Sequence, residues 1–178
     1  MHQEVIMAGA GGDGVMSIGQ LLAYAAVEEG KNVVWFPSYG PESRGGQADC
    51  TVIISSDEIG SPITAEPDTL IALNQGQVNK FARSVKSEGL IVVNSSLAVP
   101  PDRPDCTVIA IPASEIADKA GSARATNMVM LGCYIAAVRP VSMESVMNAL
   151  PEVLPSHRHS LIPINVVALK AGAEMAPK

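Results

Sequence analysis

Short runs of aliphatic and β-branched residues alternate along the chain with stretches in which apolar positions recur every three or four residues. The first pattern predicts strands and the second predicts amphipathic helices. The predicted strands are Glu4–Ala8, Val33–Phe36, Ala48–Ser55, Leu70–Leu73, Leu90–Val93 and Thr107–Ile111. Because most of these runs are apolar throughout, they are typical of a mostly parallel sheet buried between helices. We therefore expect a doubly wound, Rossmann-like α/β fold.

The helical stretches lie between and after these strands. Val15–Glu29 carries one apolar stripe and stops at Gly30, a residue type that commonly ends helices. Further helices are predicted around Val78–Val85 and over Ala113–Ala120, Asn127–Val138, Met143–Leu150 and Ile162–Glu174. Ala48–Ser55 differs from the other strands because one of its faces is more apolar, so we expect an edge or antiparallel strand there.

Composition narrows the class of protein. The 178 residues are enough for one domain with its own core, and we assign residues 1–178 to it. A net charge of −6 with scattered basic residues argues against nucleic-acid binding. The absence of a leader and of an apolar run near the roughly 20 residues of a membrane span predicts a cytoplasmic protein. Three cysteines without a C-x-x-C pair predict no metal or cluster site within this chain.

A glycine-rich turn joins the first strand to the first helix. It matches G-x-G-x-x-G, and the helix that follows would offer free N–H groups to an anion. The predicted cofactor-binding residues of this turn are Gly9, Gly11, Gly12, Asp13 and Gly14. An equally open alternative is that the glycines only allow the helix to pack closely on the strand.

A nicotinamide or flavin site is less favoured for this turn. Strand two ends in Trp35–Ser38 without the acidic residue that would hold a ribose, and Asp13 would repel a pyrophosphate. The letters Gly12-Asp13-Gly14 also resemble the opening of a thiamine-diphosphate signature, but the Asn-Asn pair that should follow is missing.

The loop after strand two, residues 38–46, is the least ordinary segment. Gly-Pro and Gly-Gly pairs frame its polar side chains, and it follows a strand at the carboxyl edge of the sheet, where α/β folds place their sites. Ser38, Tyr39, Glu42 and Arg44 are therefore predicted to contact a ligand or a partner chain, close to the glycine turn. Alternatively, Glu42 and Arg44 form an ion pair within the loop. No side chain suggests itself as a catalytic base.

Several segments together resemble the gamma subunit of the 2-oxoacid:ferredoxin oxidoreductases, which act on pyruvate, 2-oxoglutarate, branched-chain 2-oxoacids or indolepyruvate. The loop resembles the Y-G-P-E-x-R-G-G signature of that family, Gly9–Val15 its G-x-G-G-Q-G-V turn, Cys50–Ser55 with Ile59–Pro62 its strand and I-x-x-P segment, and Asn127–Gly132 its N-M-x-x-L-G helix. One departure is Asp13, which stands where the family usually has Gln.

The resemblance implies a subunit that is inactive alone. The complex would decarboxylate a 2-oxoacid oxidatively, form an acyl-coenzyme A and pass electrons to ferredoxin. Thiamine diphosphate and magnesium would belong to alpha- and beta-type partners, and iron–sulfur clusters to beta- and delta-type partners. The gamma-type chain would help to form the coenzyme A region or a subunit interface, with 2-oxoglutarate or a branched-chain 2-oxoacid as substrate. A free-standing nucleotide-binding oxidoreductase and a non-catalytic interaction module are the alternatives.

Overall fold

A six-stranded mixed sheet forms the centre of the computed structural model, which describes residues 1–40 and 46–177. The strands are β1 His2–Ala10, β2 Asn32–Tyr39, β3 Gln47–Ser55, β4 Thr69–Ala72, β5 Leu90–Asn94 and β6 Thr107–Ile111. Their order across the sheet is β2-β3-β1-β4-β5-β6. β1, β4, β5 and β6 are parallel, whereas β3 is antiparallel to both of its neighbours. β2 therefore points in the same direction as β1.

Helices cover both faces of the sheet, but unequally. They are α1 Val15–Glu28, α2 Gln75–Phe81, α3 Ala113–Lys119, α4 Thr126–Val138, α5 Met143–Val153 and α6 Ile162–Ala173. The larger core lies on the face covered by α1 and α4, while α2 packs on β1 and β4 from the other side. Within the ranges that the structure describes, no helix combines the length and the hydropathy of a membrane span.

The predicted α/β fold and its mostly parallel sheet are confirmed, and the largest differences in strand bounds lie in β1 and β2. β1 and β2 are longer than predicted, so that Gly9 belongs to β1, and Ser38 and Tyr39 belong to β2 rather than to the loop. Pairing with β3 supplies hydrogen bonds to residues whose local sequence indicated a turn. β3 is antiparallel as expected, but it is not an edge strand, and its inner position explains why Val52–Ser55 is buried on both faces.

Helices α4 and α6 touch backbone to backbone. A methyl group on Gly132 of α4 would overlap the carbonyl oxygen of Leu169, and one on Gly172 of α6 would overlap that of Val129. The two contacts are reciprocal, because each glycine faces the backbone of the other helix. The residues Asn127–Ile135 of α4 are all buried as a result of this contact and of packing on the sheet.

Glu29 joins the end of α1 to the start of α5. Its carboxylate accepts hydrogen bonds from Lys31 Nζ at 2.7 Å, the Ser142 N–H at 2.6 Å and the Ser145 hydroxyl at 2.9 Å. Burial raises the pKa of Glu29, but these hydrogen bonds outweigh burial and lower it to about 2. A negative charge is also favourable at the N-terminus of α5.

Replacing either glycine of the α4–α6 contact should destabilise the protein. We expect Gly132→Ala and Gly172→Ala each to lower the free energy of unfolding by about 1–3 kcal/mol through overpacking, although Ala is the better helix former. Gly60→Ala is the control, since nothing lies within 4 Å of the added methyl group. Urea denaturation would measure all three, and a neutral Gly132→Ala would contradict the backbone contact.

Glu29→Gln should remove a stabilising effect that depends on pH. Because the folded pKa lies below the ordinary value, this stabilisation is complete above pH of about 4.5 and is lost as the pH falls towards about 2. The stability gap between wild type and variant should therefore be widest near neutrality and close in acid. Thermal melts across this pH range would measure the gap, and Glu28→Gln, on an exposed neighbour, should have little effect at pH 7. A gap that stays constant with pH would contradict the role of the Glu29 charge.

Candidate functional site at the carboxyl edge of the sheet

The glycine turn connects β1 to α1 through two left-handed residues. Gly12 has a φ of 102°, and Gly14, which precedes the first residue of α1, has a φ of 73°. Residues with a Cβ rarely adopt this conformation. A side chain on Gly14 would in addition collide with the amide of Asn127. Both requirements explain why glycine occupies this position, independently of any ligand.

Three polar side chains from three elements hold the turn. The Asp13 carboxylate accepts the Ala10 N–H at 2.7 Å, Gln77 Nε2 donates to the Gly9 carbonyl at 2.9 Å, and Asn127 Nδ2 donates to the Gly14 carbonyl at 3.1 Å. The carboxylate of Asp13, which can only accept hydrogen bonds, therefore forms one within the turn itself. Gln77 and Asn127 were not predicted in this role, and only Asn127 stood in a segment that the sequence had singled out.

The polar loop ends beside this turn, while its start lies at the end of β2, on the far side of β3. The Gly11 N–H donates to the Gly46 carbonyl at 2.8 Å, and Gly40 N–H donates to the Gln47 carbonyl at 3.0 Å. Ser38 and Tyr39 are exposed at the end of β2. Glu42 and Arg44 lie outside the described residues.

The position of β3 argues against a dinucleotide site of the usual kind. In such sites the strand after the first helix lies beside β1 and brings an acidic residue to the ribose. Here β3 separates β2 from β1, and Gly46 and Gln47 occupy the place next to the turn. The missing acid at the end of β2 therefore agrees with the topology.

A cavity of about 920 Å³ opens in front of the turn. It lies where β1 and β4 diverge, since the chain leaves β1 towards β2 and leaves β4 towards β5 and β6. This switch point is the usual ligand position in open α/β sheets. Its lining residues come mainly from the turn, from the starts of α1, α4 and α6, and from the short helical segments before α4 and α6, with others at the ends of β4 and β5 and at the start of α3. Its glycine, polar and charged residues include Gly12, Asp13, Gly14, Ser17, Arg124, Thr126, Asn127, Arg158 and Asn165.

The lining is suited to an anion. Arg124 and Arg158 form no ion pair with any described residue. Asn165 is nine-tenths buried, and its side-chain amide has no hydrogen-bond partner among the described residues. Asp13 is the one carboxylate in the described lining, and it is already bonded to Ala10. The N-termini of α1 and α4 add positive partial charge.

The sequence did not predict this second wall of the cavity. Arg124 lies in the polar run before the apolar helix α4, and Arg158 lies between two histidines. Neither pattern is specific for binding. Asn165 stands in an otherwise apolar helix, and a buried amide in that setting is the one signal that could have drawn attention to α6.

The other titratable side chains have structural surroundings. Burial raises the pKa of the Cys50 thiol to about 12 and that of the Cys133 thiol to about 11, which leaves both as thiols at neutral pH. His159, in a short 3₁₀ segment, contacts the carbonyl of Leu154 at the end of α5. In the part of the chain that is described, no three potential metal ligands come together.

The family model described as pyruvate ferredoxin/flavodoxin oxidoreductase matches residues 4–175. The chain belongs to this family. It is 39% identical over 176 residues to the ketoisovalerate oxidoreductase subunit VorA of Methanothermobacter marburgensis. The matched region covers 98% of this chain but only 37% of that relative. It is 32% identical over 180 residues to the 2-oxoglutarate synthase subunit KorC of Methanocaldococcus jannaschii, with 99% and 95% of the two chains covered.

A solved structure extends the agreement to three dimensions. The crystal structure of the keto/oxoacid ferredoxin oxidoreductase gamma subunit from Geobacter sulfurreducens has a TM-score of 0.84 and 31% identity over 98% of both chains. The predicted membership is thus confirmed. In this member of the oxidoreductase family, two of the segments that suggested the relationship, the glycine turn and the start of α4, contact each other through Gly14 and Asn127.

Asn127→Asp should weaken the hold on the glycine turn. A carboxylate cannot donate to the Gly14 carbonyl and would set acceptor against acceptor, so we expect a loss of about 1–3 kcal/mol in the free energy of unfolding. Asn148→Asp, on the exposed side of α5, makes the same chemical change without that contact. Chemical denaturation would measure both, and equal midpoints would show that the bond to Gly14 contributes nothing.

Proposed function

We propose that the chain works as the gamma-type subunit of a cytoplasmic 2-oxoacid:ferredoxin oxidoreductase complex. The observation that carries this proposal is the match of nearly the whole chain to one family. The KorC relative is a separate chain of about the same length as this one. The substrate is a 2-oxoacid of the branched-chain or 2-oxoglutarate type, because ketoisovalerate and 2-oxoglutarate are named for the relatives above.

Within that complex, the cavity at the carboxyl edge contributes to binding of coenzyme A. Its phosphates suit the two arginines, the unpartnered Asn165 amide and the helix N-termini. The glycine turn, held by Gln77 and Asn127, presents its backbone without having to be ordered first. When bound, coenzyme A supplies the thiol that takes up the acyl group.

The remaining chemistry belongs to other subunits. The oxidation of a 2-oxoacid needs a thiamine cofactor as electron sink and clusters that pass electrons to ferredoxin. The three cysteines of this chain are free, and Cys50 and Cys133 are buried. Alpha-, beta- and delta-type partners would therefore hold thiamine diphosphate with magnesium and the iron–sulfur clusters.

Reconstitution tests the function and the site together. The chain alone should turn over no 2-oxoacid, and adding it to its partner subunits should restore acyl-coenzyme A formation. In the complex, Arg124→Ala with Arg158→Ala should raise the KM for coenzyme A at least about a hundredfold, because two charged hydrogen bonds worth about 1.5–3 kcal/mol each are lost together. The KM for the 2-oxoacid should stay the same.

Two comparisons make this test specific. Arg83→Ala removes an exposed arginine beside α2 and should not affect the KM for coenzyme A. With pantetheine, a thiol acceptor without the nucleotide phosphates, the double variant and wild type should behave alike. Full activity of the partners without this chain would refute the subunit role, whereas an unchanged KM in the double variant would refute only the coenzyme A site.

A further inference from the structure

The cavity at the carboxyl edge of the sheet has an apolar side that the binding of phosphates leaves unused. Leu97, which is 61% exposed, and Leu161, which is 41% exposed, both line the cavity. Leu154 and Ile164 line it as well and are half-buried. Ligand pockets combine apolar surface with a few polar groups that fix the orientation of the ligand. We therefore expect the leucines to contact a ligand whose anionic groups bind to the arginines.

The two exposed leucines stand on opposite sides of the cavity. Leu97 follows the end of β5, so it lies at the level of the sheet. Leu161 directly precedes α6, and α6 packs on α4, which itself packs on β4 and β5. Leu161 therefore lies a layer further from the sheet than Leu97. A flat group that enters between the two leucines would be covered on both of its faces.

Leu97 is exposed, yet its backbone is held in place. The Leu97 N–H donates to the Asn94 carbonyl at 3.1 Å, and the Ser96 N–H donates to Asn94 Oδ1 at 3.2 Å. Beyond Leu97, the Val99 N–H donates to Gln75 Oε1 at 2.8 Å. The position of this leucine is thus set before a ligand arrives, which lowers the entropy cost of binding.

On the other side of the cavity, a cation and an apolar side chain lie next to each other. Arg158 and Leu161 are three residues apart in the 3₁₀ segment Ser156–Leu161, and both line the cavity. Residues at positions i and i+3 of a 3₁₀ helix are eclipsed, so these two side chains lie one above the other. This pair is suited to a ligand that joins an anionic group to a flat ring over a short distance, as a nucleotide does.

We propose that the cavity holds the nucleotide end of coenzyme A, with the purine ring between Leu97 and Leu161. This inference rests on the proposed function, which takes coenzyme A as the ligand. A purine offers an apolar face to each leucine, while its polar edges can stay in contact with water at the mouth of the cavity. The cavity volume of about 920 Å³ is sufficient for a nucleotide.

The pantetheine arm of coenzyme A fits the leucines less well than the ring does. The arm contains amide groups, and their burial against leucine side chains would leave hydrogen bonds unmade. The arm must also leave the cavity, because its thiol has to reach an acyl group that another subunit holds. The nucleotide end is therefore the part that stays with this chain.

Competition against coenzyme A in the assembled complex tests the position of the ring. Adenosine 3′,5′-bisphosphate contains the ring and phosphates, whereas inorganic pyrophosphate contains phosphates alone. Leu97→Ser and Leu161→Ser should each raise the Ki of adenosine 3′,5′-bisphosphate about fivefold through lost apolar contact, and change that of pyrophosphate less than about twofold. Val99→Ser is the matched control and should change neither Ki, because Val99 is 71% exposed and is not among the described residues that line the cavity.

The outcomes separate the position of the ring from the site itself. If Arg124→Ala with Arg158→Ala changes neither Ki, the coenzyme A site fails. If this double variant raises both Ki values but the leucine variants leave both unchanged, only the position of the ring is wrong. If the leucine variants raise both Ki values equally, the leucines shape the cavity without contacting the ring, and the proposal is overturned as well.

A photolabel on the wild-type complex tests the same position without a substitution. On irradiation, 8-azidoadenosine 3′,5′-bisphosphate should attach to peptides of this chain that contain Leu97 or Leu161, and an excess of coenzyme A should prevent the labelling. Labelling confined to other peptides or to other subunits would overturn the proposal, even where a leucine variant fails to fold.

Discussion

The backbone contact between α4 and α6 is the constraint on which the rest of the site depends. Gly132 and Gly172 bring the two helices close enough for carbonyl groups to touch the facing backbone. This contact fixes where each helix begins. The start of α4 carries Asn127, which bonds to the glycine turn, and the first turn of α6 carries Asn165, which lines the cavity. The cavity is therefore shaped by a contact on its far side, between residues that never face it.

The same dependence applies to the glycine turn. Its conformation is held by Asp13, Gln77 and Asn127, which belong to the turn, α2 and α4. Because the bonds come from different elements, the turn keeps its shape only when the whole domain is folded. An aspartate at position 13 fits this arrangement, since the interaction with the Ala10 N–H requires only an acceptor.

Much of the fold could be predicted because its strands are continuous apolar runs. Leu90–Val93 and Thr107–Ile111 agree with β5 and β6 to within one residue. The extension of β2 through Pro37 to Tyr39 could not be predicted, because residues 37–39 are typical of a turn and are held in a strand only by pairing with β3. The two sides of the cavity also differ in how well they could be predicted from the sequence. The glycine turn has a local signature, whereas Arg124, Arg158 and Asn165 are distant in sequence and meet only through helix packing.

The burial of the thiols has a consequence for work with this protein in air. Oxidation of cysteine proceeds through the thiolate, and the raised pKa values of Cys50 and Cys133 leave a very small thiolate fraction at neutral pH. Burial also raises the pKa of Cys106. The isolated chain should therefore tolerate oxygen during purification. Any oxygen sensitivity of an assembly that contains it would have its origin in the other components, and the chain could be prepared aerobically and added afterwards.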